Sequence, residues 1–193
     1  MLPLDLALFQ ALNADASTAP VVIAAARWAS QQLPLAMGGV LLGCLVAGGP
    51  ARRRELALAL ASMALAWAGV QLLRYAVPAP RPAQLGIGTQ WIDHAARAGF
   101  PSMHAAGAFA LAASLSAGPR ALALVAWAAA LAMAWSRVCL GVHFPSDVVA
   151  GMLTGTLSAW AVHALAVRSQ RPSWRRRFSA YWSRRALPWV RHR

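Results

Sequence analysis

Seven side chains between residues 74 and 147 could together do chemistry, in a sequence that is otherwise largely apolar. They are three arginines, a serine, two histidines and a carboxylate: Arg74, Arg81, Arg137, Ser102, His104, His143 and Asp147. Arginine guanidinium groups bind phosphate oxygens through two parallel hydrogen bonds, and histidine exchanges protons near neutral pH. The set is suited to the transfer or hydrolysis of a phosphoryl group.

The three arginines stand at the ends of apolar segments, with few acidic residues to balance them. An arginine in a bilayer costs on the order of 3 kcal/mol at the centre of a helix and less at its ends. An anionic ligand would offset the repulsion among the three. Any one of them alone could be a residue that anchors a helix end at the membrane surface. Three together, each beside a proline, serine or histidine cluster, favour an anion site.

His143 and Asp147 are four residues apart, and Pro145 between them is a typical first residue of a helix. A carboxylate that accepts a hydrogen bond from one ring nitrogen fixes the histidine tautomer and makes the other nitrogen a better nucleophile. An isolated pair of this kind is often only structural. Its neighbours in this sequence favour a catalytic pair.

The segment Pro101-Ser102-Met103-His104 predicts the start of another helix, at Pro101. Backbone N–H groups at a helix start bind anions, and the Ser102 hydroxyl could add a donor. The alternative for Ser102 is a simple helix cap. His104, in the first turn, could protonate a leaving oxygen.

The composition indicates a membrane protein. Of the 193 residues, 59% are hydrophobic and 12% are charged, whereas soluble domains carry about 25% charged residues. The net charge of +13 comes entirely from arginine, and most of the arginines flank apolar segments, at 52–54, at 120 and from 168 onward. That placement follows the positive-inside rule and disfavours nucleic acid as the partner. Cys44 and Cys139 have no metal-ligand spacing and are interpreted as packing residues.

The pattern predicts an all-α integral membrane bundle of about five transmembrane helices. The apolar segments are 19–48, with a kink at Pro34, then 56–77, 101–117, 121–138 and 145–167. Residues 3–13 predict a short helix at the membrane interface, within an N-terminal segment 1–18. Gly151 and Gly155 form a pattern that lets two helices approach closely. The domain organisation is thus a membrane domain, 1–167, followed by a basic aromatic tail, 168–193.

The arginine distribution also predicts an orientation. The connections at 49–55 and 118–120 and the tail would be cytoplasmic, so the N-terminus, the 78–100 loop and the 139–144 link would lie outside. All three polar clusters then meet at the outer face. The tail predicts a basic amphipathic helix on the anionic lipids of the inner leaflet, with a disordered tail as the alternative.

These clusters resemble the signature of the type 2 phosphatidic acid phosphatase superfamily, whose motifs read K-x6-R-P, P-S-G-H and S-R-x5-H-x3-D. The spacings within each motif agree, and the resemblance covers residues 74–147. Two positions depart from it, since Arg74 replaces the lysine and Met103 replaces the glycine.

The resemblance implies that His143 attacks phosphorus, that Asp147 orients it, and that His104 protonates the leaving group. It implies phosphate binding by Arg74, Arg81, Ser102 and Arg137, and no metal or other cofactor. The short chain and the 78–100 loop are similar to the small bacterial undecaprenyl-diphosphate phosphatases. Phosphatidylglycerophosphate, phosphatidate and lipid A phosphates are the alternative substrates, and a non-catalytic membrane protein is the alternative from another class. No pattern in the sequence indicates an oligomeric state.

Overall fold

The computed structural model describes residues 3–93 and 98–170, and these residues form helices and no strands. The helices are α1 (Pro3–Leu12), α2 (Pro20–Gln31), α3 (Leu33–Ala47), α4 (Pro50–Ala76), α5 (Met103–Leu115), α6 (Arg120–Cys139) and α7 (Pro145–Gln170), with a 3-10 turn at Pro82–Leu85. The predicted all-α fold class is confirmed. The part of the predicted tail that follows Gln170 lies outside the described residues. The division into 1–167 and 168–193 therefore stays a prediction.

Within residues 3–93 and 98–170, three helices are long and apolar enough to cross a membrane: α4, α6, and α7 as far as Ser169. The helices α2 and α3 form a fourth span if they are counted together, with a bend of 41° between them. The break falls at Gln32, two residues before Pro34, whose ring and missing N–H prevent a regular helix through this point.

The third predicted span is a short helix, because α5 has only 13 residues and is about 20 Å long at the usual rise per residue. It begins at Met103 and not at Pro101, since Ser102 has an extended backbone (φ −70°, ψ 114°) and occupies the N-cap position. Most of α5 is buried, and it packs between α4 and α6. In the part of the chain that the structure describes, three helices, or four spans with the bent pair, meet the criteria of length and composition, against about five predicted.

α7 packs directly against α5 through its glycines, as the sequence pattern predicts. A Cβ atom at Gly155 would collide with the backbone oxygen of Ala106, and one at Gly151 would lie 2.5 Å from the backbone oxygen of Ser102. Only glycine allows this separation of the two backbones. The contact fixes the start of α5 against the start of α7.

We predict that Gly155→Ala lowers the stability of the protein by about 1–3 kcal/mol, because the added methyl group forces the two helices apart. The measurement is the midpoint of thermal unfolding in detergent. Gly43→Ala is the matched control, since a Cβ atom at this glycine of α3 meets no atom within 4 Å. Equal midpoints for the two variants would contradict the assigned role of Gly155.

Candidate active site

His143 lies in the turn between α6 and α7 and has two polar partners on opposite sides of its ring. Its Nδ1 atom is 3.3 Å from Oδ2 of Asp147, and its Nε2 atom is 3.1 Å from Nη1 of Arg81. Since a guanidinium group can only donate, Nε2 is the acceptor and Nδ1 carries the hydrogen, an assignment that follows from the partners. His143 is 1% exposed. The imidazole is therefore held as the neutral tautomer whose Nε2 lone pair faces an arginine.

Asp147 is fixed by the backbone around it. The Phe144 N–H donates to Oδ2 of Asp147 over 3.0 Å, and the Asp147 carbonyl oxygen accepts from the Ser102 N–H over 2.9 Å. Asp147 is in the first turn of α7, so both contacts depend on where that helix begins. This arrangement ties the carboxylate to the His143 turn and to the start of α5.

Arg81 is buried at the start of the 3-10 turn, and its guanidinium group donates to backbone oxygens. Its Nη1 donates to Val142 O at 2.9 Å and its Nη2 to Ala98 O at 3.4 Å. Burial, and next the nearby positive charge of Arg74, lower the pKa of Arg81 to about 10. Arg81 therefore stays charged at neutral pH and brings a positive charge to Nε2 of His143.

Arg137, in the last turn of α6, is 1% exposed. Its carbonyl oxygen accepts from the N–H groups of Val142 and His143, both at 3.2 Å, so the turn that presents His143 is built on the Arg137 backbone. The charges of Arg137 and Arg81 interact. Arg137 is thus linked to the histidine turn through its backbone and to Arg81 through its charge.

The start of α5 brings the second cluster to the same place. The Ser102 hydroxyl is fully buried, caps no backbone group and has no hydrogen-bond partner among the described residues. The alternative of a simple helix cap is therefore wrong for Ser102. Arg74, at the end of α4, donates from Nη2 to the Pro101 carbonyl oxygen over 3.2 Å. His104 follows as the second residue of α5, with its side chain exposed.

The structure therefore joins all three clusters, which come from the ends of α4 and α6, the starts of α5 and α7, and the loop at Arg81. The roles assigned to the seven residues remain predictions. Among the described residues, no three side chains of His, Cys, Asp or Glu come together as a metal site would require.

The contacts of α1 with the His143 turn were not predicted from the sequence. This helix is where it was predicted, but Asp5 and Phe9 are buried. The Asp5 carboxylate accepts from the Ser146 N–H at 2.9 Å and from its hydroxyl at 2.7 Å, and the ring of Phe9 lies 5.2 Å from that of Phe144. An acidic residue in a short apolar helix was the only signal of this role in the sequence. These contacts support the turn on the C-terminal side of His143.

The segment after α1 supports the other side of the turn. The Asn13 side-chain amide donates to the backbone oxygens of Cys139 and Thr89 and accepts from the Thr89 N–H. At Gly141 the backbone is left-handed (φ +72°), and a Cβ atom there would collide with the Thr89 carbonyl oxygen. The His143 turn is thus fixed to the N-terminal segment and to the 78–100 loop.

An apolar cavity of about 340 Å³ lies among α3, α4, α5 and α6. Four methionines from these four helices line it (Met37, Met63, Met103 and Met133), and so does His104. Methionine side chains are flexible and adapt to irregular apolar partners. The cavity therefore reaches the histidine that the sequence analysis assigns to the leaving group.

Comparison with known proteins agrees with this geometry. Residues 55–171 match the family model described as PAP2 superfamily. The chain is 31% identical to "Putative undecaprenyl-diphosphatase YbjG" of Escherichia coli K12, over 80% of this chain and 78% of the relative. It is 32% identical to decaprenylphosphoryl-5-phosphoribose phosphatase of Mycobacterium tuberculosis, over 78% and 84%. The crystal structure of Aquifex aeolicus LpxE shares the fold, with a TM-score of 0.70, 24% identity and coverage of 84% of this chain and 96% of that one.

The fold and the site therefore define a helical membrane phosphatase, a hydrolase that acts on phosphate esters. The chain belongs to the PAP2 superfamily.

We predict that Asp5→Ala lowers both stability and phosphatase activity, because the Ser146 donors at the start of α7 lose their acceptor. Ser146 is exposed, so each lost hydrogen bond is expected to cost its net contribution of about 0.5–1.5 kcal/mol. The thermal midpoint in detergent and the rate of phosphate release from a lipid phosphate measure the two effects. Asp15→Ala is the control, since Asp15 is exposed and accepts only from Ser17 and Thr18, within its own turn. Losses no larger than those of the control would show that α1 does not support the site.

Proposed function

We propose that this protein hydrolyses undecaprenyl diphosphate to undecaprenyl phosphate and phosphate, through a phosphohistidine formed on His143. The observation that carries the reaction type is the buried His143, with Asp147 on Nδ1 and Arg81 on Nε2. A carboxylate on one nitrogen and a cation beside the other is the arrangement that a histidine nucleophile needs to meet an anionic phosphate.

In the first step, Nε2 of His143 attacks the terminal phosphorus, and the bond from that phosphorus to the bridging oxygen breaks. His104 gives a proton to the bridging oxygen, and undecaprenyl phosphate leaves. Arg81 exchanges its hydrogen bond to Nε2 for one to a phosphate oxygen, so its charge stays beside the reacting atoms. Asp147 stabilises the positive charge that develops on the imidazole.

In the second step, water attacks the phosphohistidine, His104 takes the proton from the water, and the N–P bond breaks to release phosphate and free His143. Arg74, Arg81, Arg137 and the Ser102 hydroxyl hold the phosphate oxygens in both steps. Positive groups fixed in place before the reaction stabilise the transition state without reorganisation. The superfamily resemblance implies that no metal takes part.

The apolar cavity supports a lipid substrate. Its volume of about 340 Å³ is that of a site for a small ligand, so it would hold only the part of a lipid chain nearest the phosphate, with the remainder in the bilayer. His104 lines the cavity, which would bring the bond to be cleaved close to the proton donor.

The choice of a prenyl lipid rests on the relatives. The relatives from Escherichia coli and Mycobacterium tuberculosis are both named as phosphatases of prenyl-linked substrates. Phosphatidylglycerophosphate, phosphatidate and lipid A phosphates are the alternatives within the same chemistry. The arginine distribution supports a plasma (inner) membrane location with the site facing the outside and the tail facing the cytoplasm, on anionic lipids.

We predict that the purified protein in detergent with EDTA releases phosphate from undecaprenyl diphosphate faster than from phosphatidylglycerophosphate or phosphatidate. His143→Ala is expected to abolish release from all of them, because the nucleophile is gone, while its thermal midpoint shows that it still folds. Retained release by this variant would rule out His143 as the nucleophile. Equal turnover of all three lipids would rule out prenyl specificity, and no turnover of any would favour lipid A phosphates or a non-catalytic protein.

We predict that Gly107→Leu raises KM for a long-chain lipid phosphate and leaves hydrolysis of a water-soluble phosphate ester unchanged. Gly107 lies one turn after His104 and lines the cavity, so the new side chain would fill the space proposed for the lipid chain. Gly39→Leu adds the same bulk to α3 at a glycine whose Cβ atom would meet nothing within 4 Å, and it is the control. An unchanged KM for the lipid in Gly107→Leu would place the chain elsewhere.

A further inference from the structure

Ser30 contacts the active site from a helix that contains none of the predicted site residues. It lies on α2, one residue before the end of that helix, and it is buried. Nη1 of Arg137 donates a hydrogen bond to the Ser30 hydroxyl oxygen, which is 107 positions away in the sequence. Among the described residues, Ser30 provides the side-chain hydrogen-bond acceptor for the Arg137 guanidinium group.

The other guanidinium nitrogens of Arg137, Nε and Nη2, are buried and have no hydrogen-bond acceptor among the described residues. Buried N–H groups without an acceptor are costly, and those of a charged group more so. The Ser102 hydroxyl is also buried and has no hydrogen-bond partner among the described residues. A bound phosphate would supply acceptors for these three donor atoms.

The position of Ser30 is set by packing. Ala26 and Ile23 are buried on the same face of α2, one turn and two turns before Ser30. The helix α2 packs against α6, which carries Arg137. The hydroxyl is thus held by a helix already docked on α6. An arginine side chain has many rotamers, and one fixed acceptor at Nη1 selects those that leave Nε and Nη2 together on the other edge.

We propose that Ser30 is a positioning residue for phosphate binding: its hydroxyl oxygen fixes Arg137 so that Nε and Nη2 are presented to the phosphate. This inference rests on the proposed phosphate site and adds α2 to the elements that build it. Ser30 does not contact the phosphate itself. It lowers the number of guanidinium orientations that have to be lost when the anion binds.

The test compares Ser30→Ala with Ser62→Ala in the full chain. Ser62 is an equally buried serine on α4 that bonds only to the Leu58 carbonyl oxygen of its own helix, so it controls for the loss of a buried hydroxyl. Two quantities are measured, the inhibition constant of orthovanadate, a phosphate mimic, and kcat/KM for a lipid phosphate. Ser30→Ala is expected to raise the inhibition constant and to lower kcat/KM, each by up to about 100-fold. Ser30→Thr keeps the hydroxyl and is expected to restore most of the loss.

A double-mutant cycle separates positioning from a general loss of stability. Arg137→Met removes the donors and keeps an unbranched side chain at this position. In that background Ser30→Ala is expected to cause no further loss in kcat/KM, because there is no guanidinium left to position. Additive losses, or a vanadate constant in Ser30→Ala equal to that in Ser62→Ala, would overturn the proposal.

Stabilisation of the wild type by inorganic phosphate, measured as a shift of the thermal midpoint, distinguishes this inference from the proposed function. A wild type that is neither stabilised by phosphate nor inhibited by vanadate would overturn the phosphate site and the role of Ser30 together. A wild type that binds phosphate, with Ser30→Ala binding it equally well, would overturn the role of Ser30 alone.

Discussion

The burial of several arginine charges close together is the constraint on which the rest of this structure depends. Arg81 and Arg137 are both buried, Arg81 contacts the His143 ring, and the positive charge of Arg74 helps to lower the pKa of Arg81. Asp147 is the one carboxylate bound directly to that histidine in the described part of the chain. Backbone carbonyl oxygens of Pro101, Val142 and Ala98 accept much of what the arginines donate. These positive charges repel one another, and a phosphate, as proposed, would offset that repulsion.

Holding such charges in place requires backbones that cannot move apart. α5 provides this by being short, rich in small residues and enclosed, with α7 in contact through glycine. The polar groups come from helix ends and from loops, where backbone N–H and C=O groups are not used by the helix and can bind side chains or ligands. The apolar bodies of α4, α6 and α7 face the lipid and fix where these ends lie.

Much of this could be predicted from sequence because its signals are local. The spacing of His143 and Asp147 about Pro145, and the glycines of α7, translate directly into contacts within one helix turn or between two helix faces. The helix α5 was predicted to be longer than it is. An apolar run does not show whether its first residues are helical, and here the backbone of Ser102 is extended. The contacts of Asp5 and Ser30 were missed because their partners lie 141 and 107 positions away. A single sequence carries no periodicity that reports such a pair.

The bond between Asp5 and Ser146 also has a consequence for biosynthesis. Its partners are 141 residues apart, and a ribosome adds roughly 5–20 residues per second. Asp5 therefore waits about 7–28 s for Ser146 to be made, and the start of α7, with Asp147, is synthesised only after α1 to α6. The contacts of Asp5 with the start of α7 thus form late in synthesis, when α1 to α6 have already been made.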